Sequence, residues 1–348
     1  MKMKSGKCVD LYKDSIRPYD LNMIINYYET NYDLLVGQTS NDVNIKPLGN
    51  INQRICRFCG KTIPTTTFNK EAHVFPVCTG NKYLLSFYEC DKCNKFFGDR
   101  LESEYQNFFS FVHNIYLVSG RRNKIPIIQS NDNKSKNQVI DGLDGSSKIH
   151  LINDIEGEEH TKIDKENGII TIESPEITVI PIAVYKCLVK MALTIMPDKE
   201  MEQFKDTLDW VKSKKHIPFF EKKHICRYVE FDNSPRVNYP MGFLLKRKEK
   251  SKNGPYMIFI YVYARMVLMI EVPTNKKKYL YDLRKVPMFF VMGSIIKNQS
   301  IDLSECNKVV IKKEQRSYQA LNFQELTDEV KDESSQHPYA QLIREKLS

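Results

Sequence analysis

The sequence predicts an α+β protein: a cysteine-stapled module followed by a separate α+β domain of helices and an antiparallel sheet. Three observations predict it. Two Cys-x-x-Cys pairs, Cys56–Cys59 and Cys90–Cys93, bracket a single histidine, His73. Between residues 181 and 214 apolar side chains recur at helical spacing. Between about residues 240 and 290 the period falls to two, the signature of strands.

Residues 1–50 are polar and irregular, with one short helix in "YDLNMIINYYETNYDLL", and read as an N-terminal extension packed on another part of the chain. Residues 51–118 hold the cysteine module. From Asn94 onward, Phe97, Leu101, Tyr105, Phe108 and Val112 recur every three or four residues, which predicts an amphipathic helix. Residues 119–180 contain "QSNDNKSKNQVIDGLDGSSK" and read as a linker with short strands such as "GIITIES". The second domain spans 181–348. Pro181 opens the helix "PIAVYKCLVKMALTIMP" and Pro197 closes it. "DKEMEQFKDTLDWVKSK" predicts a second helix with Phe204, Leu208 and Val211 on one side. "YMIFIYVYARMVLMIEVP" predicts a hairpin turning near Ala264–Arg265, with "MGFLLKRK" and "KVPMFFVMG" as neighbouring strands, and the last 25 residues return to helix. No repeat is evident, and this domain carries no motif that translates into chemistry.

A chain of 348 residues with 41% hydrophobic content can bury the cores of two or three domains. Its 52 basic and 43 acidic side chains give a net charge of +9, which fits an anionic partner. The start, "MKMKSGKCVDLYKD", lacks an apolar signal-peptide core. The longest apolar run, Met257–Val272, holds Arg265 and Glu271 and is rich in β-branched and aromatic residues; it reads as strands and not as a membrane span. A cytoplasmic location is expected. In a reducing compartment, closely spaced cysteines argue for metal before disulfide.

Four thiolates match tetrahedral Zn²⁺, at Zn–S distances of about 2.3 Å, and a centre closed by four sulfurs is structural. Thirty residues separate the pairs, so the metal pins the ends of an inserted element. Cys78 fits neither pair and is expected in the core. Chemistry must then come from the insert. His73 lies in "EAHVFP", on a strand that Pro76 ends. Asn94 directly follows Cys93 and opens the helix, so the zinc fixes Asn94 and the strand fixes His73. Asparagine is also a favoured helix N-cap.

The order Cys-x-x-Cys, His-x-x-Pro, Cys-x-x-Cys-Asn, helix resembles the HNH endonuclease family. More narrowly, "KEAHVFP", "TGNKYLLS" and "ECDKCNKFFGDRLE" are similar to its zinc-containing ββα-metal branch, over roughly 50 residues. The spacing from His73 to the second cysteine pair is also similar to that of phage Holliday-junction resolvases of the same superfamily. The resemblance implies a histidine at the position of His73 acting as general base on water. It also implies one divalent cation, Mg²⁺ or Mn²⁺, at the scissile phosphate of DNA. The chemistry is consistent: hydrolysis needs a base that titrates near neutrality, as histidine does at about 6.5, and a cation with hard oxygen ligands. Asn94 is expected at that cation. Many members carry an aspartate just before the histidine; here Ala72 stands there, as it does in members sharing "KEAH", leaving Glu71, Glu102 and Asp99 as oxygen donors.

Lys95, Arg100, Arg121 and Arg122 are the expected nucleic-acid contacts, the last two in "GRRNK" after the site helix. Such contacts set affinity and salt dependence rather than sequence choice. "KRKEKSK" and "KKK" (Lys276–Lys278) read as solvated lysines, while His113, His216, His224 and Trp210 read as structural. The expected function is a metal-dependent HNH endonuclease acting on DNA, with restriction or anti-phage defence as its setting. The alternatives are a zinc-stapled nucleic-acid-binding module that does not cut, and a protein-interaction scaffold. One site per chain nicks one strand, so double-strand cutting would favour a homodimer. A regulatory partner would dock through the C-terminal domain.

Overall fold

The computed structural model describes residues 8–9, 12–13, 21–41, 44–120, 124–129, 136–141, 147–152, 161–164, 166–167, 169–221, 223–232, 237–275, 281–289, 294–311 and 314–319. Arg121, Arg122, Lys276–Lys278 and the helix expected in the last 25 residues lie outside them.

The chain opens with β1 (Cys8–Val9), β2 (Tyr12–Lys13), α1 (Leu21–Asn31) and β3 (Tyr32–Thr39). The cysteine module leads into α2 (Asp91–Phe97), a π-helical turn (Gly98–Glu102), α3 (Ser103–Phe108) and α4 (Ser110–Ile115). Next come β4 (Ile128–Gln129), β5 (Lys136–Asp141), β6 (Ser147–Ile152), β7 (Thr161–Asp164), β8 (Ile169–Glu173) and β9 (Ile177–Val179). They are followed by α5 (Pro181–Ile195), α6 (Asp198–Met201) and α7 (Lys205–Lys212). The chain continues through β10 (Ile225–Asp232), β11 (Val237–Arg247), β12 (Met257–Ala264) and β13 (Met266–Glu271). The last described elements are β14 (Ser294–Asp302), β15 (Val309–Ile311) and β16 (Gln315–Gln319).

Met1–Pro126 and Ile177–Lys312 form one compact unit; Ile127–Glu176 and Lys313–Ser348 form a second. These units differ from the division drawn from sequence at 1–50, 51–118, 119–180 and 181–348. The second unit holds two three-stranded sheets, β16-β8-β7 and β4-β5-β6. The first holds the small sheet β1-β15-β9 and the seven-stranded sheet β2-β14-β10-β13-β12-β11-β3.

The large sheet is buried on both faces. The β12–β13 hairpin turns at Arg265, with Tyr263 opposite Met266, and every residue of β12 is buried. Ile258, Ile260 and Val262 pack with Ile24 and Tyr28 of α1 and with Leu283, Val286 and Met288. Met257, Phe259, Tyr261 and Tyr263 point into the other core, which α5 and the cysteine module share. Two covered faces explain why this strand pair reads as a continuous apolar run. Helix α5 is buried at all of its residues, as expected of a helix apolar on nearly every side.

Four expectations change, one being that the helix expected in "DKEMEQFKDTLDWVKSK" is broken into α6, a 3-10 turn (Glu202–Phe204) and α7. Within the N-terminal segment, the helix ends at Asn31 and the next residues become the edge strand β3, with Val36 opposite Leu244 of β11, so the segment completes the sheet. "KVPMFFVMG" gives no strand among its described residues: Leu283–Lys285 form a 3-10 turn, and Pro287 has no N–H to offer a ladder. β14 takes that place instead, pairing with β10. The single site helix is broken into α2, the π turn, α3 and α4.

The cysteine module seats on the sheet through hydroxyls and one aromatic. Tyr105 Oη donates to Tyr263 Oη at 2.9 Å, His113 Nε2 lies 3.0 Å from the same oxygen, and Thr79 Oγ1 meets Tyr261 Oη at 2.5 Å. Phe75 fills a notch above Gly242 of β11, where an added Cβ would come within 2.7 Å of its ring.

Candidate active site and metal centre

Local geometry builds the cysteine cluster from two kinds of turn. The first pair is closed by Gly60 N donating to Cys56 O at 2.7 Å, and Gly60 sits at φ 68°, a conformation that favours glycine. The second pair is a helix start: Cys90 is the N-cap of α2 and Cys93 lies in its first turn. All four sulfurs lie within 4.8 Å of one another, and Cys59 Sγ is 3.7 Å from Cys90 Sγ. A tetrahedron with Zn–S bonds of about 2.3 Å has edges of about 3.8 Å. A disulfide would need about 2.05 Å, and all four cysteines are free. The residues present thus fit Zn²⁺. A hydrogen bond from Cys93 draws the Cys56 thiol down to about 5, against the effect of burial. Phe58 and Phe97 close the centre edge to face at 4.7 Å. Cys78 stands outside the cluster, as expected.

The insert folds into a short antiparallel pair. His73 bridges Leu85, Val74 N donates to Leu84 O at 3.1 Å, and Ser86 N donates to Ala72 O at 2.8 Å. Leu48 adds a third strand beside Ser86. Ala72 and Val74 are buried and His73 is half-buried. The position before the histidine therefore faces the core and offers no place for an acidic ligand. Asn81, fully buried, holds the bend: its Nδ2 donates to Phe75 O at 2.9 Å and Leu84 O at 3.0 Å, and its Oδ1 accepts from Leu84 N.

Asn94 Nδ2 donates to Glu71 O at 3.0 Å, so the residue after the last cysteine holds the strand just before His73. The N-cap of α2 is Cys90, and Asn94 is not a cap. Asp91 accepts from Thr67 Oγ1 and from the Asn69 and Lys70 amides. Slight burial raises its carboxyl, but these hydrogen bonds outweigh it and hold the group below the usual carboxylate range.

Behind the hairpin lies a buried charge cluster. Lys190 of α5 donates to His73 O and to Glu102 Oε1, each at 3.2 Å, and pairs with Glu89 Oε2 at 3.1 Å. Glu89 is buried and Glu102 is 24% exposed at its side chain. Burial pushes the Glu89 carboxyl up to about 7, with Glu102 adding and Lys190 opposing. For Lys190 burial acts downward, but the two carboxylates outweigh it and hold the ammonium above its ordinary range.

Around the hairpin, Asn94 is joined to the Glu71 carbonyl, and Lys190 links Glu102 to the His73 carbonyl. Asp99 is exposed and pairs with Lys95 at 2.7 Å, and Arg100 Nη1 donates to Lys214 O at 3.2 Å. Sequence reasoning passed over Asn81, Glu89, Lys190 and Arg57. Signals existed for three of them: Asn81 within "TGNKYLLS", Arg57 between two cysteines, and Lys186 and Lys190 one turn apart in an otherwise apolar helix.

Residues 56–110 match the family model described as HNH endonuclease. No curated protein and no solved structure matches the chain. Among the described residues, no helix is long and apolar enough to cross a membrane. His73, its hairpin and the helix that opens at Cys90 all fall inside the matched residues, and it is over 56–110 that the chain is similar to the HNH endonuclease family.

Proposed function

We propose that residues 56–110 form a metal-dependent endonuclease site that hydrolyses phosphodiester bonds in DNA. The observation that supports this best is the seating of His73. Its strand is paired on one side, its carbonyl is engaged by Lys190, the residue two before it is held by Asn94, and its side chain stays half-buried. A strand held in this way presents its imidazole from a defined backbone position, which is the geometry a general base requires.

Cys56, Cys59, Cys90 and Cys93 would hold a structural Zn²⁺ whose sulfur set leaves no open position. Asn94, with Glu71 or Glu102, would supply oxygen ligands for Mg²⁺ or Mn²⁺, which opposes the negative charge developing on the phosphate. Lys95 engages Asp99 and Lys190 engages Glu102, so each of these carboxylates would share a lysine with the cation. Lys95 and Arg100 on the outer helix, with Arg121 and Arg122, would contact phosphates. Restriction or anti-phage defence is proposed as the setting on the family resemblance alone.

The test is incubation of the purified chain with supercoiled plasmid and Mg²⁺ or Mn²⁺. Wild type is expected to nick it. His73→Ala should cut at least about 100-fold more slowly, within the range general-base catalysis supplies, while zinc stays near one per chain. Binding of DNA with no nicking under any divalent metal would replace this reading with that of a non-cutting module.

A further inference from the structure

We infer that Lys190, which lies outside the matched family segment, is a positioning residue that sets the His73 strand against the site helix. Its ammonium has three donors and faces three separate pieces of chain: Glu89 just before the second cysteine pair, Glu102 on the π turn, and the carbonyl of His73. At 1% exposure it has no water to fall back on, so a shift of any one piece leaves a donor or an acceptor unmet in the interior.

Stability alone does not account for the arrangement. A buried ion pair seldom does better than an apolar pair of the same volume, because desolvation offsets the attraction. What the ammonium adds is geometry. One residue earlier or later on α5 would point elsewhere, since successive helical side chains are about 100° apart.

The helix that carries Lys190 is itself anchored to the module. Arg57, inside the first cysteine pair, donates to Leu193 O, Thr194 O and Met196 O at 2.8–2.9 Å. Helix α5 packs in turn on β11 and β12. Besides the direct seat of Phe75 on Gly242, the sheet therefore reaches the candidate site through α5, tied at the zinc end by Arg57 and at the histidine end by Lys190.

The activity arm of the test rests on the nuclease reading; the exchange arm does not. Lys190→Met leaves Glu89 buried and unpaired and can unfold the chain, so the informative variant is Lys190→Met combined with Glu89→Gln. It should keep its zinc and its cooperative melting. Amide hydrogen exchange at Val74 and Ser86, whose hydrogen bonds define the His73 strand, should quicken at least about 10-fold, while Gly60 in the zinc turn is unchanged. On plasmid, kcat should fall at least about 10-fold with KM for DNA unaltered, and Lys190→Arg should recover part of the loss. Unaltered exchange at Val74 and Ser86 overturns the inference whether or not the protein cuts DNA. Wild-type kcat in the folded double variant overturns it as well. If wild type never nicks, the nuclease reading fails, and the exchange arm alone decides the role of Lys190.

Discussion

Replacing Arg57 tests how the cysteine module is held to the rest of its unit. The guanidinium is 5% exposed and donates to three carbonyls at the end of α5 and to Asp198 Oδ1 at 2.6 Å, with the Tyr88 ring 3.7 Å away. The last carbonyls of a helix have no partners within it, and a cation there also meets the negative end of the helix dipole. Hydrogen bonds from a charged donor are worth about 1.5–3 kcal/mol each, and the ring contact about 1 kcal/mol. Asp198 is 77% exposed and adds under about 1 kcal/mol. These terms do not add in full, because water enters once the side chain is gone; the expected loss for Arg57→Ala is about 3–4 kcal/mol. In a unit of this size that lowers Tm by about 10 °C. Arg57→Lys keeps the charge but not the planar fork, and should lose about half as much. The assay is urea unfolding followed through Trp210, the only tryptophan, which sits on α7 and packs edge-on to Tyr185 of α5. Zinc should remain near one per chain. A loss under about 1 kcal/mol in the alanine variant, or a lysine variant as stable as wild type, would refute the claim that directed hydrogen bonds dock the module.

Two further outcomes follow from buried polar groups. Asn81→Ala removes the three hydrogen bonds across the bend and should cost about 3 kcal/mol, with faster exchange at Leu84; a cost below about 1 kcal/mol would show that water replaces the side chain. His113 is fully buried, and burial pushes its imidazole down to about 3. Its folded value is depressed below the ordinary 6.5, so between pH 6.5 and 3 the unfolded chain holds a proton that the folded chain does not. Its contribution is full above pH 6.5 and lost as pH falls, by about 1.4 kcal/mol per unit. His113→Phe should flatten the acid slope of the urea-unfolding free energy by about that amount between pH 6 and 4, and equal slopes in the two proteins would rule the assignment out.

Features set within a few residues were legible in the chain. The three-position spacing of each cysteine pair forces two sulfurs to one side of a tight turn, so the cluster needed only that the two turns meet. Pro181 and Pro197 bounded α5 because proline starts helices well and cannot continue them. The apolar run is interrupted where the β12–β13 turn forms, at Arg265. Other features depended on partners far away in sequence. Val36 is an edge-strand residue because β11 lies beside it, and nothing within residues 1–50 encodes that neighbour. Lys190 reads as one cation in an apolar helix; its meeting with the carbonyl of His73, 117 residues earlier, exists only once α5 is packed between sheet and hairpin. Periodicity records how a segment is buried, because burial acts on each residue in place. It carries no record of what buries it, because that choice is made by contacts between segments, and the hydrogen-bonding needs of a buried charge are met only there.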